Sequence, residues 1–132
     1  LRHAVAANVN DIDLFGRGTT RPLEYKDDSL LDYRFSIVIE NSKAKDYFTE
    51  KLIDSLIVGT IPIYWGCLNI GEYFDTRGMY VVNSLEEIVN IVKSLTNQDY
   101  DAKIEYVKAN CKLAKQYAVV EDWIYTNIIK LK

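Results

Sequence analysis

The chain has 132 residues, enough for one ordinary domain and too few for two. Its 48% hydrophobic and 27% charged residues exclude a disordered or fibrous chain. Lys and Arg number 16 against 19 Asp and Glu, scattered among one another for a net charge of −3, which argues against a basic stripe for nucleic acid.

No apolar run approaches the roughly 20 residues of a membrane span. A single histidine, His3, and two cysteines, Cys67 and Cys111, supply neither zinc-ligand spacing nor a disulfide framework. The chain opens on Leu1, with no signal sequence behind it and no Asn-x-Ser/Thr sequon anywhere. One domain cut from a longer chain is therefore expected.

In chain order, Asp11 to Phe15 alternates polar and apolar and stops at Gly16-Arg17-Gly18, as a short strand feeding a loop does. Thr19 to Asp28 is polar, contains Pro22 and reads as loop, and Asp27-Asp28-Ser29 suits the cap of a short turn carrying Leu30 and Leu31. Tyr33 to Ile39 is rich in β-branched and aromatic residues and predicts a strand. Thr49, Leu52, Ile53 and Leu56 then fall on one face of a helix, with Asp46 or Thr49 as N-cap and Gly59 as terminator. Ile61 to Trp65 predicts a second strand with Pro62 at its start or at an unpaired N–H.

Met79 to Val82 predicts a third strand. Ser84 and Glu87 have capping-box spacing ahead of the helical stripe Leu85, Ile88, Val89, Val92 and Leu95. Asp99 to Lys132 reads as helix, broken near Ala118-Val119-Val120, with Trp123, Tyr125 and Ile128 as packing residues. Strands alternating with helices predict an α/β layered domain with a mostly parallel sheet.

Ligands of open parallel sheets gather at the carboxyl ends of strands, near helix N-termini. Three such ends are Gly16-Arg17-Gly18, Glu40-Asn41-Ser42 and Gly66-Cys67-Leu68-Asn69. The second leads into a helix start carrying Tyr47, Thr49, Glu50 and Lys51. A cation in a first helical turn opposes the dipole by up to about 1 kcal/mol unless an anion lies between them; a bound diphosphate would be that anion, with Glu50 accepting from ribose hydroxyls. The competing reading makes Glu50 and Lys51 a solvated face and nothing more.

Gly16-Arg17-Gly18 likewise reads either as a plain turn or as a close approach with Arg17 on a phosphate; it matches neither the P-loop nor the dinucleotide fingerprint. Tyr64 and Trp65 suit core packing or stacking on a base or sugar. Cys67 has no neighbouring base and reads as inert.

Taken together, Tyr33-Arg34-Phe35, Glu40-Asn41-Ser42, Asp46-Tyr47-Phe48-Thr49-Glu50-Lys51-Leu52 and Gly59 to Gly66 resemble the donor-binding signature of the α1,3/4-fucosyltransferases (glycosyltransferase family 10). Asp13 to Gly18 resembles the upstream D-x-F-G-x-G element, so the likeness covers about residues 11 to 70 in order. The resemblance implies a Rossmann-like three-layer domain, the C-terminal, nucleotide-sugar half of a GT-B glycosyltransferase. It implies GDP-fucose as donor, inversion at the anomeric carbon, a glycan acceptor, and no required metal or other cofactor.

By that likeness Lys51 contacts the diphosphate and Glu50 the ribose or sugar hydroxyls. Asn41 and Tyr47 line the donor pocket, Glu40 orders the loop, and Arg2 is the nearest match to an upstream arginine on the diphosphate. Ile39 stands where the family carries Phe. The family's general base lies in an N-terminal acceptor-binding half, and no residue of this chain takes that role, so the 132 residues are expected to bind donor but transfer sugar poorly or not at all. The location expected is cytoplasmic or peripheral at the inner membrane face for a bacterial or viral chain, and the Golgi lumen for a eukaryotic one. Two other readings stay open: a transferase of this fold using another nucleotide sugar, and a nucleotide-binding or interaction module without catalysis.

Overall fold

The β-branched run Phe35–Ile39 forms strand β1, and the apolar run Ile61–Trp65 forms β2. The structure, a computed structural model, describes residues 1–10, 12–14 and 30–119. Within them the elements are α1 (Arg2–Asn8), β1, α2 (Glu50–Ile57), β2, β3 (Tyr80–Val81), α3 (Leu85–Ser94) and α4 (Asn97–Ala114), with single 3-10 turns at Ile70–Glu72, Thr76–Gly78 and Lys115–Tyr117. The described strands form one parallel sheet, order β1-β2-β3. Phe35 lies opposite Ile61 and Ile63 opposite Tyr80.

Strand alternation divides the core into two. Ile37, Ile39, Ile63, Trp65 and Val82 pack with Val5 and Val9 of the α1 region and Ile88 of α3. Val38, Tyr64 and Met79 pack on the other face with Leu52, Ile53 and Leu56 of α2 and Ala114 of α4. Helices therefore cover both faces of a parallel sheet: the expected three-layer, Rossmann-like α/β domain. Leu52, Leu56, Ile63 and Ile88 are almost completely buried, and each such side chain contributes about 2 kcal/mol by leaving water.

The predicted boundaries shift in instructive ways. Ile12–Leu14 carries no strand; Ile12 packs against the α1–α3 core, and Tyr33 donates its hydroxyl proton to Asp13. Pro62 is the second residue of β2 and faces Ser36. Pairing with β3 begins only at Ile63, so the missing N–H meets no ladder partner there. Gly59, at φ 80°, follows the α2 C-cap Val58 and ends the helix as expected.

Helix α4 starts earlier than predicted, at Asn97, because Thr96 and Asp99 form a capping box. It stops at Ala114, ahead of the expected break. Helix α1 has no predicted counterpart. Asp11, residues 15–29 and residues 120–132 lie outside the described residues, and with them Arg17, the Asp27-Asp28-Ser29 cap, Trp123, Tyr125 and Ile128. No helix among the described residues is long and apolar enough to cross a membrane.

Candidate functional site

The site is built around the start of α2. Thr49 is its N-cap, extended at φ −124° and ψ −177°, and its hydroxyl oxygen accepts from the Lys51 backbone N–H at 3.3 Å. In a capping box the cap's own N–H is satisfied by a carboxylate three residues into the helix. Here that position is Leu52, which is buried. Glu40, at the carboxyl end of β1, takes the part instead: Oε1 accepts from the Thr49 backbone N–H at 2.9 Å and Oε2 from the Thr49 hydroxyl at 2.6 Å.

Glu40 is only 2% exposed. The floor under it is the fully buried Tyr64, whose hydroxyl oxygen accepts from the Cys67 backbone N–H at 3.0 Å. Burial holds the Tyr64 hydroxyl well above its usual acidity range, with the Cys67 N–H opposing and Glu40 adding to the shift. Gly66 closes the arrangement, since a Cβ there would sit 2.5 Å from Glu40 Cγ and 2.6 Å from the Tyr64 oxygen.

The loop between Glu40 and Thr49 is pinned along its length. Lys43 donates to Asn83 Oδ1, with its ammonium 5.8 Å from the centre of the Trp65 ring. Ala44 O accepts from the Leu68 N–H at 3.1 Å. Asp46, at φ 58°, has its backbone N–H on Asn69 Oδ1 at 2.7 Å, and its Oδ1 accepts from Asn69 Nδ2 at 2.6 Å and from the Tyr73 hydroxyl at 2.7 Å. These bonds, Asn69 first and Tyr73 second, hold the Asp46 carboxyl below its ordinary range. The hydrogen bond to Asp46, followed by desolvation, pushes Tyr73 up to about 12.

Beside this frame a cavity of about 640 Å³ runs along β1, and both Arg2 and Lys51 line it. The rest of its wall is largely apolar, including Ile12, Leu14, Ile37 and Val92, with Arg34 as a third cation and Asp13 and Asp54 as its acids. The Arg2 guanidinium donates to Asn41 Oδ1. The Lys51 ammonium lies 3.4 Å from Glu50 Oε1 and 3.5 Å from Thr49 Oγ1, with side-chain exposures of 29% for Lys51 and 61% for Glu50. An ion pair this open adds little stability and gives way readily to a stronger anion.

Of the expected site residues, the fold thus brings Arg2, Asn41, Glu50 and Lys51 to one end of the sheet. Glu40 is spent on the helix start, with its carboxylate on Thr49. Tyr47 is half-buried and is not among the described lining residues. Asp46, offered as a cap, is a loop anchor instead. Asn69 and Tyr73 had no assigned role; the signal available for Asn69 was its place at a strand's carboxyl end. Cys67 is buried, its thiol 3.2 Å from Asn69 Oδ1. Among the described residues no three His, Cys, Asp or Glu side chains group closely enough to hold a metal ion.

Comparison with known proteins identifies the family. A family model described as glycosyltransferase family 10 (fucosyltransferase) C-term matches residues 3–121. The alpha-(1,3)-fucosyltransferase FucT of Helicobacter pylori is 28% identical over 114 residues, covering 82% of this chain and 21% of that protein. Alpha-(1,3)-fucosyltransferase B of Drosophila melanogaster is 29% identical over 101 residues, 76% of this chain and 23% of its own length. GDP-fucose protein O-fucosyltransferase 3 of Danio rerio is 35% identical over 83 residues, 60% of this chain and 17% of its own length. The chain spans about a fifth of the length of these curated relatives, and no solved structure matches. Because the family model covers most of its residues, the chain belongs to glycosyltransferase family 10, in the C-terminal region of that family.

Proposed function

We propose that the chain is the donor-binding domain of an inverting fucosyltransferase-like glycosyltransferase, which takes fucose from GDP-fucose to a hydroxyl of a glycan acceptor. The observation that carries this reading is the meeting of Arg2 and Lys51 on one cavity beside the N-terminal turn of α2. Two cations and a helix start are what a diphosphate requires, both in the ground state and as a leaving group gaining charge. The relatives support assignment to the donor side. Their names differ in linkage and acceptor, from alpha-(1,3)- and alpha-(1,4)-linkages to protein O-fucosylation, yet the matches cover 60% to 82% of this chain. What the names share is fucose.

In this reading Lys51 leaves Glu50 for the diphosphate, Glu50 turns to ribose or sugar hydroxyls, and Arg2 holds the second phosphate while anchored on Asn41. Each charge-assisted bond to the departing diphosphate contributes a few kcal/mol. These groups supply the positive charge, so the reading calls for no metal. The base that takes the acceptor's proton belongs to a separate N-terminal, acceptor-binding half.

Calorimetric titration with GDP, GDP-fucose, GDP-mannose and UDP-galactose tests this reading. Binding of the guanine nucleotides, weakened about 10- to 100-fold in Lys51→Ala as expected for a lost charged hydrogen bond, supports it. Preference for the uridine sugar points to another transferase of this fold. Absence of nucleotide binding points to a module without catalysis.

A further inference from the structure

Among the described non-glycine residues, Asp46 alone has a positive φ, 58°. Steric crowding disfavours that region for a side chain with a Cβ, so the bend persists where neighbours over-determine it. The bend lies midway along the loop that joins β1 to α2, immediately before Tyr47. Asn69 grips it from both sides, taking the Asp46 backbone N–H on Oδ1 and donating Nδ2 to the Asp46 carboxylate.

Asn69 is itself oriented by two other contacts. Its Nδ2 also donates to Glu72 Oε2 at 3.0 Å, and its Oδ1 accepts from the Cys67 thiol at 3.2 Å. Tyr73 reaches the loop twice. Its hydroxyl donates to Asp46 at 2.7 Å, and its ring meets Phe48 edge-on with centroids 5.0 Å apart. Phe48 in turn packs edge-on against the buried Phe74, at 5.6 Å. Tyr47 therefore sits between two neighbours anchored to one tyrosine, two residues ahead of the helix cap.

We propose that Asp46, Asn69 and Tyr73 form a positioning clamp, which holds the β1–α2 loop in one bend so that the Thr49 cap and the first turn of α2 keep Lys51 at the cavity for a nucleoside diphosphate. The clamp touches no ligand; it acts through the residues it flanks. It rests on the donor-domain reading above. A loop free to leave this bend would bind the diphosphate only in the fraction of molecules that hold it, and affinity would fall by that fraction.

The test is titration of GDP into the full natural chain that carries these residues, at a temperature where circular dichroism shows every variant folded. Asp46→Ala and Asn69→Ala weaken GDP binding by about 10-fold or more. Asp46→Asn keeps the acceptor oxygen and tolerates the left-handed bend, and stays within about 1.5-fold of the unmodified chain. That ordering separates geometry from charge, because Ala and Asn remove the charge equally. Unchanged affinity in Asp46→Ala and Asn69→Ala overturns the clamp, as does equal loss in Asp46→Asn and Asp46→Ala.

Should the alanine variants fail to fold, Tyr73→Phe decides. It removes one hydroxyl while keeping the ring against Phe48; binding about threefold weaker upholds the clamp and unchanged binding overturns it. An unmodified chain that does not bind GDP has a different signature: the donor-domain reading itself fails and takes the clamp with it.

Discussion

Helices α3 and α4 begin one way and α2 begins another. At α3, Ser84 Oγ accepts from the Glu87 N–H at 3.2 Å while Glu87 accepts from the Asn83 N–H at 2.9 Å. At α4, Asp99 accepts from the Thr96 N–H at 2.7 Å and from its hydroxyl at 2.8 Å. Both starts are closed locally, by an acid three residues in, and that acid also satisfies the dipole. At α2 the carboxylate arrives from Glu40, behind the cap and buried, and the first turn carries Lys51 toward the cavity. The acid in the first turn of α2, Glu50, makes no cap; it is exposed and pairs with the Lys51 ammonium at 3.4 Å, and on the proposed reading a diphosphate takes Lys51 from it.

The comparison can be broken most directly at Glu40. Removing it orphans the Thr49 N–H and opens a buried hole, and Glu40→Ala should cost about 3 kcal/mol in urea unfolding. A loss no larger than that of Ser84→Ala would mean the long-range cap is no different from a local one. Gly66→Ala comes next: the added methyl crowds Glu40 and Tyr64 and should cost about 2 kcal/mol in the same assay. Ser84→Ala and Thr96→Ala each remove one local cap, for about 1 kcal/mol.

Acid sharpens the contrast on a smaller scale. Thr96 hydrogen bonds lower the Asp99 carboxyl from its ordinary 3.8, as Asn69 and Tyr73 lower Asp46. A lowered folded value means that the stabilisation is complete above about pH 4 and is lost as pH falls through the folded value. Asp99→Asn should therefore flatten the fall of the unfolding midpoint below about pH 4, with the slope due to Asp46 and Asp75 remaining. Smallest of all is Lys51→Ala, expected within about 0.5 kcal/mol of the unmodified chain in urea, because its ion pair with Glu50 is open to solvent. A large loss there would make Lys51 a structural residue.

Where an element's signal lay inside the element, the sequence was readable. Helix α2 showed its stripe and its Thr49 cap, α3 its Ser84–Glu87 spacing, and β1 and β2 their apolar runs. The signature residues Arg2 and Lys51 also meet on one cavity beside the start of α2. What could not be read was long-range. Nothing near Thr49 announces that its partner is Glu40, and nothing near Arg2 announces Asn41. Asp46 fits a helix cap by residue type, and only the fold, by bringing Asn69 and Tyr73 alongside, gives it another task. The alternation at Ile12–Leu14 suggested a strand but serves instead to place two apolar side chains on the cavity wall. Helix α1 is seven residues long and has no side-chain cap bond, so local pattern offered little to find it by.

A crystal structure of the chain grown with GDP addresses the central claim most directly. The expected result is a diphosphate at the start of α2, with the Lys51 ammonium and the Arg2 guanidinium each about 2.8 Å from its oxygens and Lys51 released from Glu50. A nucleotide bound elsewhere, or one bound while the ammonium keeps its carboxylate partner and Arg2 stays off the phosphates, contradicts it.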